Sequence, residues 1–442
     1  MKRHMKKVLA ALCCLAVATG ALSGCNQSQG APAESAPASA PPAASEQESE
    51  PESEPAAGGE ITVMLPPWAE PSPELLQEFT DESGIKVILN VVGWDDIRNK
   101  ISIASVGQAA VADVVEVDWS WVGEFGAAGW MEPLEVDAAV QESMPPITSF
   151  IYDGQVLAVP YSNDFRIAFY NKEHFEAAGI AEPPATWDEV VEDAKKIKEA
   201  GICEYPLSLI LSATEPTTNT MLWLTNAKYG PFFNDDMSVN HDNVLNTLNF
   251  VNGLVNVDKL VDPASLNMKD TEVDGKMMAN SSSFMVAAIA YNERLDDPEQ
   301  SQVVGKTDPI LVPGSEAVRS ATFALPEGLG IPKYAVNKEA GKKFIDWYTA
   351  PETQIKLYGE QGNIPTSNVA LEKMMEEGTL KDGETVIEQT TYISSPFPGG
   401  IPEWYSEMSN AVYNSVNQMV QGSITPEQAL AGIEDKVNEL RG

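Results

Sequence analysis

Val159-Pro160-Tyr161-Ser162-Asn163-Asp164-Phe165-Arg166-Ile167-Ala168-Phe169-Tyr170-Asn171-Lys172-Glu173-His174-Phe175-Glu176-Ala177-Ala178-Gly179-Ile180, followed by Pro183-Pro184-Ala185-Thr186-Trp187-Asp188-Glu189-Val190, is the stretch on which the fold turns. Thr186 and Glu189 have the spacing of a capping box, in which each side chain satisfies an orphan amide of the first helical turn. Val190, Val191, Ala194 and Ile197 then fall on one face of the helix that box opens. Working outward toward the N-terminus, Ile61 to Leu65 reads as a buried strand. Ser72-Pro73-Glu74 reads as a helix start, with an N-cap, a proline in the first turn and an early acid. Val87 to Val92 is a second strand, Asp95 to Ala104 a helix, and Val114 to Val117 a third strand. Strands alternating with helices predict an α/β lobe with a mainly parallel sheet. The body from residue 61 to 442 is too long for one ordinary core and predicts two lobes.

The first 60 residues are of another kind. Lys2, Arg3, Lys6 and Lys7 precede an uncharged apolar run from Val8 to Val17, too short for a bilayer that needs roughly 20 apolar residues. Leu22-Ser23-Gly24-Cys25 follows and resembles the lipobox of bacterial lipoproteins. The resemblance implies a signal peptide over 1–24 and a lipidated Cys25 as the mature N-terminus. Asn26 to Glu60 is built almost wholly of Ala, Pro, Ser, Gln and Glu. Such a chain buries too little apolar surface to offset its ordering entropy, so residues 25–59 read as a disordered tether. Its reach as flexible coil is on the order of 30 Å.

Loss of residues 1–24 removes four of 28 basic residues and none of 65 acidic ones, leaving 24 against 65 and a net charge of −41. So acidic a surface argues against nucleic acid as a partner. Only Cys25 and Cys203 remain after the signal, which excludes a disulfide framework, and Cys203 reads as a small buried residue. His174 and His241 stand in no zinc-like spacing and read as surface histidines. No G-x-S-x-G elbow, phosphate-cradling loop or H-E-x-x-H pair occurs. Neither a cofactor, a metal nor a catalytic residue is expected.

The segment from Val159 to Val190 resembles the hallmark region of the family 1 extracellular solute-binding proteins, the sugar-binding subunits of ABC importers. Further blocks follow in the family's order. Gly275-Lys276-Met277-Met278-Ala279 resembles its central helix. Gly328-Leu329-Gly330-Ile331-Pro332, Phe344-Ile345-Asp346-Trp347-Tyr348 and Gly362-Asn363-Ile364-Pro365-Thr366 resemble its return through the first lobe. Trp404 and Thr425 to Leu430 resemble its C-terminal helices. The resemblance implies a two-lobed type II periplasmic-binding-protein fold with ligand held in an interlobe cleft and hinge closure around it. It places the N-lobe at 60–163 plus 322–366 and the C-lobe at 164–321 plus 367–442, with crossings near Asn163, between Leu311 and Leu325, and near Thr366.

A sugar site needs aromatic platforms with carboxylates and amides at their edges. The chain has 9 tryptophans. Trp68 follows the first strand, and Asp118, Trp119 and Trp121 follow the third, where family members place ligand contacts. Asn163 lies at a crossing. Asp164 sits where a carboxylate contacts ligand in maltose-binding relatives. Glu215 precedes Pro216 much as a second such carboxylate does, although the aromatic expected two residues on is Thr217. Trp223, Phe284 and Trp404 complete the candidates, with Phe284 or Met285 standing where the family often has tryptophan. Trp68, Trp121 and Trp223 read equally well as core, Trp119 and Trp404 read as ligand platforms, and Trp130, Trp187 and Trp347 as packing.

The leading expectation is a lipid-anchored, monomeric receptor on the outer face of the cytoplasmic membrane. It would capture a carbohydrate, an oligosaccharide first among them, and deliver it to an ABC permease. A polyamine or other cationic solute is the rival, because tryptophan with aspartate also makes a cation cage. A secreted polysaccharide-degrading enzyme is a third reading, with Asp164 and Glu215 as its acid and base.

Overall fold

The computed structural model describes residues 59–442. The expected signal over 1–24, Cys25 and the tether as far as residue 58 lie outside the described residues. Eleven strands follow in chain order: β1 Glu60–Leu65, β2 Lys86–Val91, β3 Val114–Asp118, β4 Ile151–Tyr152, β5 Gln155–Val156, β6 Val159–Ser162, β7 Arg166–Asn171, β8 Leu207–Ser208, β9 Phe284–Ala288, β10 Thr307–Ile310 and β11 Glu327–Gly330. They form a five-stranded sheet in the order β2-β1-β3-β11-β6, a four-stranded sheet in the order β10-β7-β9-β8, and the hairpin β4-β5. Helices flank both large sheets, giving the two-lobed α/β architecture.

The sheets are mixed rather than mainly parallel. β1 runs parallel to β2 and β3, but β11 lies antiparallel between β3 and β6. In the second sheet only β8 and β9 are parallel. The reason is connectivity. β11 enters the first sheet from the second, so it runs against the strands built by local βαβ crossovers.

The chain passes from β6 to β7 at Asn163–Phe165 and back along Thr322–Leu325. These connections lie side by side, with Phe165 bridging antiparallel to Ala324 and the Leu325 amide donating to the Asp164 carbonyl. The third connection joins them where the Asn163 amide donates to the Ile364 carbonyl at 3.0 Å.

The opening stretch folds as its residues dictate. Thr186 and Glu189 cap helix Trp187–Glu199 reciprocally, and Val190, Ala194 and Ile197 are buried while Val191 is half-buried. Trp187 stacks on Trp223 at 5.8 Å and meets Phe284 and Phe250 edge-on, a packing role. Ser72 accepts from the Leu75 amide and caps Pro73–Ser83. Cys203 is buried. His174, expected at the surface, is instead buried, with Nδ1 2.9 Å from Ser283 Oγ. That hydroxyl satisfies a polar ring atom that burial would otherwise leave unpaired.

Two glycines fix how segments seat. A Cβ on Gly330 would lie 2.5 Å from Met131 Cε and 2.8 Å from the Leu157 carbonyl oxygen, so β11 fits its slot only without a side chain. A Cβ on Gly123 would lie 2.7 Å from the Ile401 carbonyl oxygen. This close approach seats the 397–405 segment against helix Val122–Ala128 and so positions helix Tyr405–Val420.

Candidate ligand-binding site

Between the two sheets lies a cavity of about 440 Å³, lined from both. The first sheet supplies loops at the carboxyl ends of β1, β3 and β6 and the start of β11. The second supplies the start of β7, the end of β9, and the first turns of helices Glu215–Lys228 and Asp270–Met278. Loops at strand ends are the natural binding edge of α/β sheets, because the sheet holds them rigidly while leaving their side chains free.

Trp68 sits in the turn after β1, half-buried, and its Nε1 donates to Glu327 Oε1 at 2.7 Å. Asp118 ends β3. Its Oδ1 accepts the Ser120 amide at 2.8 Å, and its Oδ2 accepts Trp94 Nε1 at 3.2 Å. Asp164 pairs through Oδ2 with Arg166 at 2.6 Å, while its Oδ1 is buried with no hydrogen-bond partner. Glu215 accepts the Tyr405 hydroxyl on one oxygen and Asn219 Nδ2, at 3.0 Å, on the other. Trp223 lies two turns further along the same helix at the cavity wall.

The cavity thus gathers Trp68, Asp118, Trp119, Asp164, Glu215 and Trp223 from the sequence candidates. It does not gather Trp121, Asn163, Phe284 or Trp404. Trp121 is sealed in core against Trp94 and Phe125. Phe284 faces Trp187 from the start of β9. Asn163 is 8% exposed and outside the lining, its Oδ1 unpartnered. Trp404 is half-buried and packs on the core just before helix Tyr405–Val420. Its neighbour Tyr405 reaches Glu215 instead. Thr217 is fully buried and donates to the Ser212 carbonyl, so no aromatic stands at that position. Trp119 is only 4% exposed, held among Phe323, Phe397 and Tyr405.

Sequence reasoning missed Trp94, Glu327, Asp270 and Asp274, all in the lining. A hint for Trp94 was its place after a strand, at the head of a helix. The acids carried no signal in a chain with so many.

Burial dominates the electrostatics. Desolvation, then the nearby Asp118 charge, pushes Glu215 up to about 8 against its hydrogen bond from Tyr405. Desolvation with Asp164 and Asp118 pushes Glu327 up to about 8. Desolvation raises Asp274 to about 7 in spite of Arg166, and Asp118 to about 6 in spite of Ser120. Beneath them Glu116, fully buried in β3, is raised well above the ordinary range by burial and by Glu327. Carboxyl groups poised near neutrality can both donate and accept, a useful property toward hydroxyl groups.

A second, wider depression of about 870 Å³ shares Trp68 and Arg294 with the cavity but is lined mostly by Pro67, Ser72, Asp296, Gln361 and similar surface residues. Among the described residues no group of His, Cys, Asp and Glu is arranged to hold a metal ion, and no helix is long and apolar enough to cross a membrane.

Residues 66–355 match the model of the bacterial extracellular solute-binding protein family. The chain belongs to this family. A Sinorhizobium fredii protein named as an amino-acid ABC transporter periplasmic-binding protein is 23% identical over 82% of this chain and 84% of its own. Among solved structures, maltose-bound T. maritima MalE3 superposes with a TM-score of 0.76 at 20% identity, covering 86% of this chain and 100% of that one. An Agrobacterium radiobacter K84 solute-binding protein in complex with ribitol gives 0.78 at 19%, covering 86% and 98%. Family and fold are those of ABC-transporter solute-binding proteins, not of enzymes.

The raised carboxyl groups make this binding protein's stability depend on pH in a definite direction. Asp118 and Asp274 move up from 3.8, and Glu215 and Glu327 from 4.5, so the folded state binds protons that the unfolded state has released. The stabilisation that protonation brings is fully present below the unfolded values and is lost as pH rises through the folded values. Without ligand, the melting temperature should therefore fall by several degrees between about pH 5 and about pH 8.5. The fall should be smaller in Glu215→Gln. Differential scanning calorimetry across that range checks it, and a flat or rising profile contradicts the assignment.

Proposed function

We propose that this binding protein captures a carbohydrate in the cavity between its sheets and delivers it to an ABC permease, with the lipid on Cys25 holding it at the outer face of the cytoplasmic membrane. The observation that carries this reading is the lining itself, in which indole rings of Trp68, Trp94, Trp119 and Trp223 alternate with Asp118, Asp164, Glu215, Glu327 and Asn363. Aromatic faces suit the C–H faces of a sugar, and carboxyl and amide groups suit its hydroxyl rim. The volume lies in the lower part of the roughly 300–1,000 Å³ range of small-molecule sites, which favours a short oligosaccharide. The sugar and polyol named with MalE3 and the Agrobacterium protein support the same class.

Lobes at 60–163 with 322–366 and at 164–321 with 367–442 are part of the proposal. Three hydrogen-bonded connections, at Asn163, Leu325 and Ile364, would then form the hinge about which they close on the solute. The receptor acts as a monomer, and two acyl chains on Cys25 suffice for stable anchoring where one would be marginal.

Trp68 is the sharpest test, because it is half-buried and its loss opens no deep core. A thermal-shift screen of sugars and polyols identifies a working ligand, and Trp68→Ala should weaken its binding by roughly 2 kcal/mol, as anchor aromatics do. Stability should change much less than in Trp223→Ala, where a fully packed ring is lost at about 3–5 kcal/mol. Calorimetric titration and denaturant melts measure both quantities, and unchanged affinity in Trp68→Ala refutes this use of the cavity.

Cys25→Ser should release the protein from membranes while leaving solute affinity intact, since tether and cavity are separate parts of the chain. Membrane fractionation decides it, and a variant that stays with the membrane is held by something other than that lipid.

A further inference from the structure

The cavity holds more acid than a neutral solute requires. Asp118, Asp164, Glu215, Asp270, Asp274 and Glu327 line it, against Arg166, Lys269 and Arg294. Three of the acids have both oxygens engaged by protein donors: Asp118 by Ser120 and Trp94, Glu215 by Tyr405 and Asn219, Glu327 by Trp68 and Tyr161. The other three are Asp164, two residues before β7, and Asp270 and Asp274 on helix Asp270–Met278, close enough for the charges of Asp270 and Asp164 to act on Asp274.

Asp270 and Asp274 stand one turn apart on that helix, a spacing at which like charges repel. Asp274 is 8% exposed, yet among the described residues it makes neither hydrogen bond nor ion pair. Asp164 has one oxygen on Arg166 and one buried and unpartnered. The basic groups answer this need only in part, since the charges of Arg166 and Arg294 favour the ionised form of Asp274 but neither makes a hydrogen bond or ion pair with it. Arg166 is committed to Asp164, Arg294 lies over the Tyr291 ring at 5.4 Å, and Lys269 is exposed at the rim. A buried carboxylate without a partner costs stability unless something supplies the missing charge or proton. Indole rings facing the same space add to the attraction for a cation.

We propose that the solute carries a protonated amine, seated against Asp164, Asp270 and Asp274, on a hydroxylated body that lies toward Trp68 and Glu327. The class is an amine-bearing sugar or polyol. This rests on the carbohydrate reading of the cavity and narrows it. Asp274 is then a ligand for the cation rather than a prop of the fold.

The test uses matched sets at neutral pH, titrated calorimetrically into the full chain. Glucose, glucosamine and N-acetylglucosamine form one set, the corresponding polyol and amino polyol another, and putrescine represents an amine with no hydroxylated ring. The amine-bearing members should bind at least tenfold more tightly than their neutral and acetylated counterparts, and Asp274→Asn should abolish that preference. Asp274→Asn should also melt no lower than the parent in the absence of any solute, since it relieves repulsion. Neutral members binding as tightly as amines overturn the inference while leaving the carbohydrate reading intact. Putrescine binding with no response to any sugar or polyol overturns both. A solute-free melting temperature several degrees lower in Asp274→Asn, with Asp270→Asn as the milder companion, also overturns it, because Asp274 would then be held by the fold.

Discussion

The hydrogen bond from Trp68 to Glu327 joins residues 259 positions apart in the chain, and the site depends on the arrangement it marks. β11 has to return from the second sheet and insert between β3 and β6 for Glu327 to stand opposite Asp118. Gly330 is what lets the strand into that slot. Once there, β11 completes the first sheet, lays the return connection beside the outgoing one, and brings a carboxyl group under the indole at the cavity mouth. A strand formed by a local crossover would have done none of this.

The same insertion explains the electrostatics. Glu116, Asp118 and Glu327 occupy neighbouring strands near the sheet's binding edge; Tyr161 and Trp68 donate to Glu327, Ser120 and Trp94 to Asp118, and both Glu116 oxygens are buried without a hydrogen-bond partner among the described residues. Each is desolvated; Glu116 feels the charges of Glu327 and Asp118, Glu327 those of Asp164 and Asp118, and Asp118 that of Asp164. A fold selected for stability alone would fill these positions with apolar side chains. Desolvated acids gathered beside a cavity point to a binding site rather than to a role in stability. The buried tryptophans Trp119 and Trp223 belong to the core cluster and also line the cavity.

Legibility in the sequence followed locality. The capping box at Thr186 and Glu189, the apolar face of helix Trp187–Glu199 and the strand-forming runs of β1 to β3 depend on residues a few positions apart, and all are readable. The family resemblance, carried mainly by residues 159–190, supplied the two-lobed architecture that local rules alone would not. Strand direction in the sheets was not readable, because β11 pairs across distant segments. Glu327, Asp270 and Asp274 looked like solvated surface in so acidic a chain. Phe284 stands at the start of β9, short of the end that lines the cavity, and Trp121 shares a turn with Trp119 but packs into the core; neither position is readable without the fold. Trp404 and Tyr405 differ by one position at a helix start, where one step turns the side chain by about 100°.

The most direct test is a crystal structure of the protein with a solute found by screening. The account predicts the solute in the 440 Å³ cavity, in contact with Trp68, Asp164, Glu215 and Trp223 at once. A solute lodged in the wider depression beside Ser72 and Gln361, or touching one sheet only, would contradict it.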